Sequence, residues 1–463
     1  MNNGPNIDDT YAVGEPEKPI SGTLVAEVIE ALHENRIEDI KPKLDDLLHE
    51  DIAELFNQLT SSDRQKLASL IGDTLDSEVF ANLEPDSAED VIEMLGAEKS
   101  AEAISEMERD DALHILEDLD AEEQQEILES VDDRTREELV EGLSYPEGSA
   151  GRLMRKTMVS IPEFWNVGDT IDHLRSQQTT LPDDFYVIFA TDPKFHPVGA
   201  VALAKIMQNK REVPIRDIME TDLHVQHVKN DQEDVAYDFR KYGLVEAPVT
   251  NDQGRLIGTI TVDDIVYVMQ EEEEENMMKA GGVRSQDIHD PLLDTAKQRF
   301  PWLFINLLTA VAAAAVIGSF SASIQHLVIL AVLMPIIASM GGNAGIQAAT
   351  VTVRALATKR LTSGQAFRTI IKEVGVGMIS GLGIASIMVL AIYTFYGDGK
   401  VAGIFGIAMI INLMVAGFAG CALPIIMTRL KVDPAITSGV FLTTFTDIVG
   451  FFTFLGLATL ILL

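Results

Sequence analysis

Asp447 lies in the run Leu442-Thr443-Thr444-Phe445-Thr446-Asp447-Ile448-Val449-Gly450, within the last of five long apolar stretches, and no other acid lies as deep in any of them. A carboxylate at membrane depth is costly and by default marks an ion or proton path. No Lys or Arg stands in the core of any stretch to pair with it. A passing cation is the remaining partner, and the polar groups available to hold one are all oxygen donors: Thr443, Thr444, Thr446, Asn343 and Gln347. Such a set suits a hard cation. The competing reading is a neutral structural Asp bonded across helices. Without a buried base, anion passage is disfavoured.

A second polar group sits in residues 333–356, LMPIIASMGGNAGIQAATVTVRAL. Here Pro335, Gly341, Gly342, Asn343, Gly345, Gln347, Thr350 and Thr352 interrupt a hydrophobic run. An amide buried without a partner costs roughly 2–7 kcal/mol, so a helix that only faces lipid has no use for one. Two readings stand: a permeation path, where Gly-rich backbone lines a wet cavity, or tight packing through the small-xxx-small pair Gly341/Gly345 with amides as interhelical glue.

The elements that must position these groups follow from charge and periodicity. The chain has 463 residues with 72 acids and 35 bases. Only four acids and eight bases lie from Pro301 onward, which leaves 68 acids against 27 bases in the first 300 residues, a net of −41. That half repels itself unless cations neutralise it, and nucleic acid is excluded as a partner because phosphate contacts need Lys and Arg in excess. The one cysteine, Cys421, offers neither a disulfide framework nor a Cys-based metal site. The opening residues lack the apolar core of a cleavable signal peptide, and residues 1–21 read as a disordered tail.

Residues 22–145 read as an acidic all-α superhelix. Ile52, Leu55, Phe56 and Leu59 fall at helical offsets, as do Ala88, Val91, Ile92, Leu95 and Ala112, Ile115, Leu116, Leu119, with Asp51, Asp86–Ser87 and Asp110–Asp111 as expected N-caps. Two α/β units follow, over 146–213 and 214–270. The first begins at Gly151-Arg152-Leu153-Met154 and the second at Ile215-Arg216-Asp217-Ile218-Met219, with short strands at FYVIFA and LIGTITV. They resemble a pair of CBS domains, modules that commonly sense nucleotides or other ligands; the second copy is the better match. An acidic run, Glu271 to Glu275, opens a connecting helix over 271–300. The all-α membrane domain, 301–463, holds five stretches, about 302–320, 327–356, 374–396, 401–428 and 435–463, each long enough to cross a bilayer. Lys297, Arg299, Arg354, Lys359, Arg360, Arg368, Lys372, Arg429 and Lys431 flank alternate ends. The positive-inside rule then places the acidic half in the cytoplasm, below the plasma membrane, and the carboxy terminus outside.

In this order the parts resemble the MgtE magnesium channels. The most specific pieces are Pro335 with Met340-Gly341-Gly342-Asn343-Ala344-Gly345-Ile346-Gln347, and Thr443-Thr444-Phe445-Thr446-Asp447. The resemblance implies a homodimer with the pore on its two-fold axis, Asp447 contributed twice beside backbone carbonyls such as that of Thr443, and Asn343 and Gln347 lining or bracing the path. It implies regulatory Mg2+ bound by Asp264, Glu272, Glu275, Asp110, Asp433 and Glu78, which closes the channel when cytosolic Mg2+ is abundant. A nucleotide at the CBS pair is a further possible ligand, though no residue marks its site. Two positions depart from the pattern: His114 follows Asp110 by one turn where an acid is usual, and Asn276 ends the acidic run. The rival function is an ion-coupled secondary transporter of divalent cations (Mg2+, Co2+, Mn2+) on the same scaffold. A membrane enzyme is disfavoured, since no nucleophile–base pair, Walker loop or His cluster is present.

Overall fold

Short amphipathic segments bounded by acids build the first part of the chain. A computed structural model describes residues 20–34, 36, 39–72, 75–176, 181–182, 185–283, 292–361, 364–433 and 439–462, in two compact units, Met1–Met269 and Gln270–Leu463. Most of the expected tail, residues 1–19, lies outside the described residues. Ten helices run from Gly22–His33 to Asp133–Leu143 among those described. Their apolar stripes meet in one core: Leu55, Phe56, Leu59, Val91, Ile92, Leu113, Leu116 and Ile127 are almost wholly buried, and Ala112, Ile115 and Leu119 join them.

The expected caps shift by two or three positions. The helices His49–Asn57, Pro85–Leu95 and Arg109–Asp118 are capped by Leu48, Glu84 and Glu108, while Asp51, Asp86, Asp110 and Asp111 occupy first turns. There their charge complements the positive end of the helix dipole without supplying the cap bond. Among the ten helices of this part, Asp side chains do cap three others, at Asp76, Asp120 and Asp132.

Two three-stranded sheets of one topology follow. In the first, β1 (Ser160–Pro162) runs parallel to β2 (Val187–Thr191), which is antiparallel to β3 (Pro197–Ala202). In the second, β4 (Gln226–His227), β5 (Glu246–Thr250) and β6 (Leu256–Thr261) repeat the pattern. The hairpin turns correspond closely. Asp192 Oδ1 accepts from the amides of Lys194 (2.8 Å) and His196 (2.9 Å), as Asn251 Oδ1 accepts from those of Gln253 (2.9 Å) and Arg255 (3.1 Å). Phe195 at φ 64° stands where the second turn has Gly254 at φ 72°. The weaker first copy therefore keeps its geometry although its residues differ.

The lead-in segments are exchanged relative to the sequence reading. Ala150 and Met154 are buried in the second module's core with Val228, Val235 and Ile260, and Arg155 bridges to Thr259. Ile215, Ile218 and Met219 pack into the first module's core, and Glu220 pairs with Ala200 of β3. Each module is completed by the segment that precedes the other one, a crossing that linear order does not reveal.

Helix Val262–Gly281 carries the chain out of β6 and includes the acidic run. In the second unit the five apolar helices are Leu292–Ser319, Ile329–Ala357, Ala366–Tyr396, Gly399–Arg429 and Val440–Leu462, called the first to fifth spans below. All five are long and apolar enough to cross a membrane. The fourth is the most enclosed and forms the centre, with Phe405, Ala408, Met409 and Leu413 packed against Leu330, Leu333, Ile337, Phe454 and Leu455. Residues 434–438, where the last stretch was expected to begin, are not among those described.

Candidate functional site

The second span is one continuous helix through its glycines, and the two readings of its polar residues fall on different faces of it. Gly341, Gly342 and Gly345 are buried with Ala348, Ala349 and Thr352. A Cβ on Gly345 would lie 3.0 Å from Leu442 Cγ, and one on Gly420 of the fourth span 2.4 Å from the Gly345 carbonyl. These contacts bring the second, fourth and fifth spans close together. Ser339, Asn343, Gln347 and Thr350, at helical spacing, form the opposite, exposed face.

Between that face and the fifth span opens a cleft of about 240 Å³, lined by Ala338, Ser339, Gly342, Asn343, Ile346, Thr443 and Asp447. Asp447, Thr443 and Asn343 are thus brought together as expected. Gln347 stands one turn further along the exposed face and does not line the cleft. Thr446 is buried away from it and its hydroxyl donates to the carbonyls of Leu442 (3.1 Å) and Thr443 (2.9 Å); the Thr444 hydroxyl donates to that of Val440 (2.7 Å). These two hydroxyls are turned back onto their own helix, as is that of Thr443, which donates to the carbonyls of Gly439 and Val440 at 3.1 Å each. Ser339, which sequence reasoning missed, takes their place; its signal was its position one turn before Asn343.

Several of the expected sensing acids gather around tethered cations. Arg155 lies among four carboxylates: Glu108 Oε2 is 2.8 Å from its Nη1, Asp110 Oδ2 3.1 Å from Nε, and Asp263 Oδ2 and Asp264 Oδ1 are 3.0 and 2.5 Å from Nη2. Asp264 Oδ2 also accepts the Thr261 hydroxyl at 2.7 Å. Asp110 is only 8% exposed, and its Oδ1 is buried without a hydrogen-bond partner. Burial, and then the charge of Asp264, hold the Asp110 carboxyl well above the usual carboxylate range, while burial pushes neighbouring Asp111 to about 6. Burial works against the Arg155 guanidinium, but Asp110, Asp264 and Glu108 outweigh it and hold it above its ordinary value. Two expected site residues, Asp110 and Asp264, are therefore brought together by a third residue that the sequence did not single out.

A smaller junction of the same kind joins Glu275 and Asp433. Lys279 Nζ lies 2.6 Å from Glu275 Oε1 and 2.9 Å from Asp433 Oδ2. Burial lowers the Lys279 pKa, but the bonds to Glu275 and Asp433 more than offset this. Glu272 stands one turn before Asn276, whose Nδ2 donates to the Glu272 carbonyl at 2.7 Å. Glu78 Oε2 is 2.9 Å from His49 Nδ1, a bond that raises the His49 pKa. His114 sits 3.8 Å from Glu117. Among the described residues no three His, Cys, Asp or Glu side chains converge as a ready-made metal site. The single cysteine, Cys421, is buried in the fourth span.

Comparison with known proteins bears on all three parts. Residues 334–457 match the MgtE divalent cation transporter family, residues 47–148 the MgtE intracellular N domain, and residues 215–271 the CBS domain. The magnesium transporter MgtE of Thermus thermophilus is 31% identical over 340 residues, 72% of this chain and 74% of that protein. That of Enterococcus faecalis is 30% identical over 323 residues, 70% and 71% of the two chains. That of Bacillus subtilis is 26% identical over 439 residues, 94% and 97% of the two. Among solved structures, the cytosolic domain of the Mg2+ channel MgtE in complex with ATP is 26% identical, covering 53% of this chain and 99% of that one, with a TM-score of 0.47. Having a helical N domain, CBS modules and five apolar helices, the chain belongs to the MgtE family of magnesium transporters.

Proposed function

We propose that this protein takes up Mg2+ across the plasma membrane as a channel, and that cytosolic Mg2+ closes it. The observation that carries the reading is the cleft in which Asp447 meets Thr443 and Asn343 within the apolar helices. Mg2+ dehydrates reluctantly and keeps several waters, so carboxylates, carbonyls and amide oxygens can hold it through those waters. The exposed polar face of the second span, Ser339, Asn343, Gln347 and Thr350, is a poor surface for lipid. A second copy of the chain placed against it closes the cleft around two Asp447 carboxylates, which is the homodimer proposed here. Inward flow needs no coupled ion: at about 2.3 kcal/mol per charge per 100 mV, a dication gains roughly 4.6 kcal/mol.

In liposomes loaded with a Mg2+-sensitive dye, an inside-negative potential drives Mg2+ influx through the reconstituted protein without a proton or sodium gradient. Absence of influx at low internal Mg2+ refutes the channel reading. Influx that appears only with an opposing proton or sodium gradient replaces it by a coupled transporter.

Closure follows from the acidic cytoplasmic part, residues 22–300. Mg2+ bound between Asp264, Asp110, Glu272, Glu275, Asp433 and Glu78 favours whichever conformation brings acids together, a population shift set by differential ion binding. Replacing Asp264, Glu272 and Glu275 by Ala leaves influx running at internal Mg2+ that silences the parent protein. If the variant shuts at the parent's Mg2+ level, these acids are not the sensor.

A further inference from the structure

Asn412 lies midway along the fourth span and is wholly buried. Its Nδ2 donates to the backbone carbonyl of Ile337 in the second span at 2.9 Å, while its Oδ1, also buried, has no hydrogen-bond partner. The contact fixes the amide's orientation, because only the nitrogen can donate to a carbonyl. Leucine has the same branching with larger terminal groups and would leave no acceptor unsatisfied, whereas the amide leaves Oδ1 buried without a partner.

Two glycines make its slot. A Cβ on Gly341 of the second span would lie 2.3 Å from Asn412 Nδ2, and a Cβ on Gly450 of the fifth span 2.9 Å from the same atom. Gly341 stands two residues before Asn343, and Gly450 three residues after Asp447. The amide is thus wedged between the two helices whose side chains form the facing walls of the cleft, and it is hydrogen-bonded to one of them.

We infer that Asn412 is a positioning residue for the ion path, setting the distance between the Asn343 wall and the Asp447 wall while itself lying outside the cleft. The inference rests on the reading of Asp447 as the ion-selecting carboxylate. A selective site tolerates only about 0.5 Å of error in its groups, so loss of the wedge shows first as loss of discrimination.

The test compares Mg2+ with Na+ influx into liposomes for the parent protein, Asn412→Leu, Asp447→Ala and the double variant, alongside their thermal melting. Asn412→Leu is expected to remain folded, melting somewhat below the parent as a larger side chain enters a tight slot, yet to lose about tenfold in Mg2+-over-Na+ discrimination. In the Asp447→Ala background it removes nothing further, because both changes act through one position. Parental discrimination in Asn412→Leu overturns the inference and reduces Asn412 to packing; so do losses that simply add. Should Asn412→Leu not fold, Gly450→Ala, which presses on the same amide from the fifth span, decides: a similar loss supports the wedge and unchanged discrimination overturns it. If Asp447→Ala itself keeps parental selectivity, the ion-path reading fails instead, an outcome distinct from failure at Asn412 alone.

Discussion

Asp447→Ala is expected to cut potential-driven Mg2+ influx by roughly 30- to 4,000-fold. Removing one charged partner from a desolvated ionic contact costs about 2–5 kcal/mol, and each factor of ten corresponds to about 1.4 kcal/mol. Asp447→Asn keeps the size and one oxygen dipole but not the charge, and it should fall between Ala and the parent. Thr444→Val is the matched control from the same helix. Its hydroxyl is committed to the Val440 carbonyl at 2.7 Å and the residue does not line the cleft, so influx stays near the parental rate. The ratio of Mg2+ influx in Asp447→Ala and Thr444→Val, at equal reconstituted protein, is the decisive quantity. Equal rates return Asp447 to a structural role.

The order of the domains and the identity of the deep carboxylate are legible in the amino-acid sequence because both depend on local properties. Apolar length marks a span, and a single acid at membrane depth is conspicuous. Which threonines serve the cleft is not legible there. Thr443, Thr444 and Thr446 are equivalent as a set of oxygens, all three hydroxyls donate to carbonyls of their own helix, and only the helix phase puts Thr443 at the cleft. Asn412 escapes notice for a related reason: a lone amide in an apolar run gives no period, and its meaning comes from Gly341 and Gly450 in other spans. The exchange of segments between the two modules depends on long-range packing of Met154 and Met219, which no window of sequence contains. The acids around Arg155 are legible as a charge excess, but the nature of what holds them is not. The family resemblance implies Mg2+ at Asp110 and Asp264; in the fold both carboxylates lie against the Arg155 guanidinium, which the sequence does not single out.

That guanidinium leads to the second large effect. Arg155→Ala removes the guanidinium that Glu108, Asp110, Asp263 and Asp264 share, with Asp110 almost fully buried. Breaking a buried ion pair from one side costs about 3–5 kcal/mol. Arg155 is 21% exposed, so the lower end applies. About 3 kcal/mol lowers the melting temperature of a unit this size by roughly 6–12 °C. The pH dependence has a definite sign. Asp110 and Asp111 have folded-state pKa values raised above the ordinary carboxylate value, Asp111 to about 6. A group raised in the fold binds more protons there than in the unfolded chain, so its contribution is present at low pH and is lost as pH rises through the folded value. Acidification from pH 7 towards 5 therefore recovers much of the stability lost in Arg155→Ala. Millimolar Mg2+ at pH 7 does the same, because a dication replaces the missing positive charge among the carboxylates. Melting of the full chain in detergent, at pH 5 and 7 and with and without Mg2+, separates the possibilities. A parent protein that responds weakly to Mg2+ beside a variant that responds strongly means that Arg155 does at this junction what a divalent ion would otherwise do. A variant that melts with the parent at pH 7 without Mg2+ means that the four contacts contribute nothing, and the junction is then held by its apolar neighbours alone.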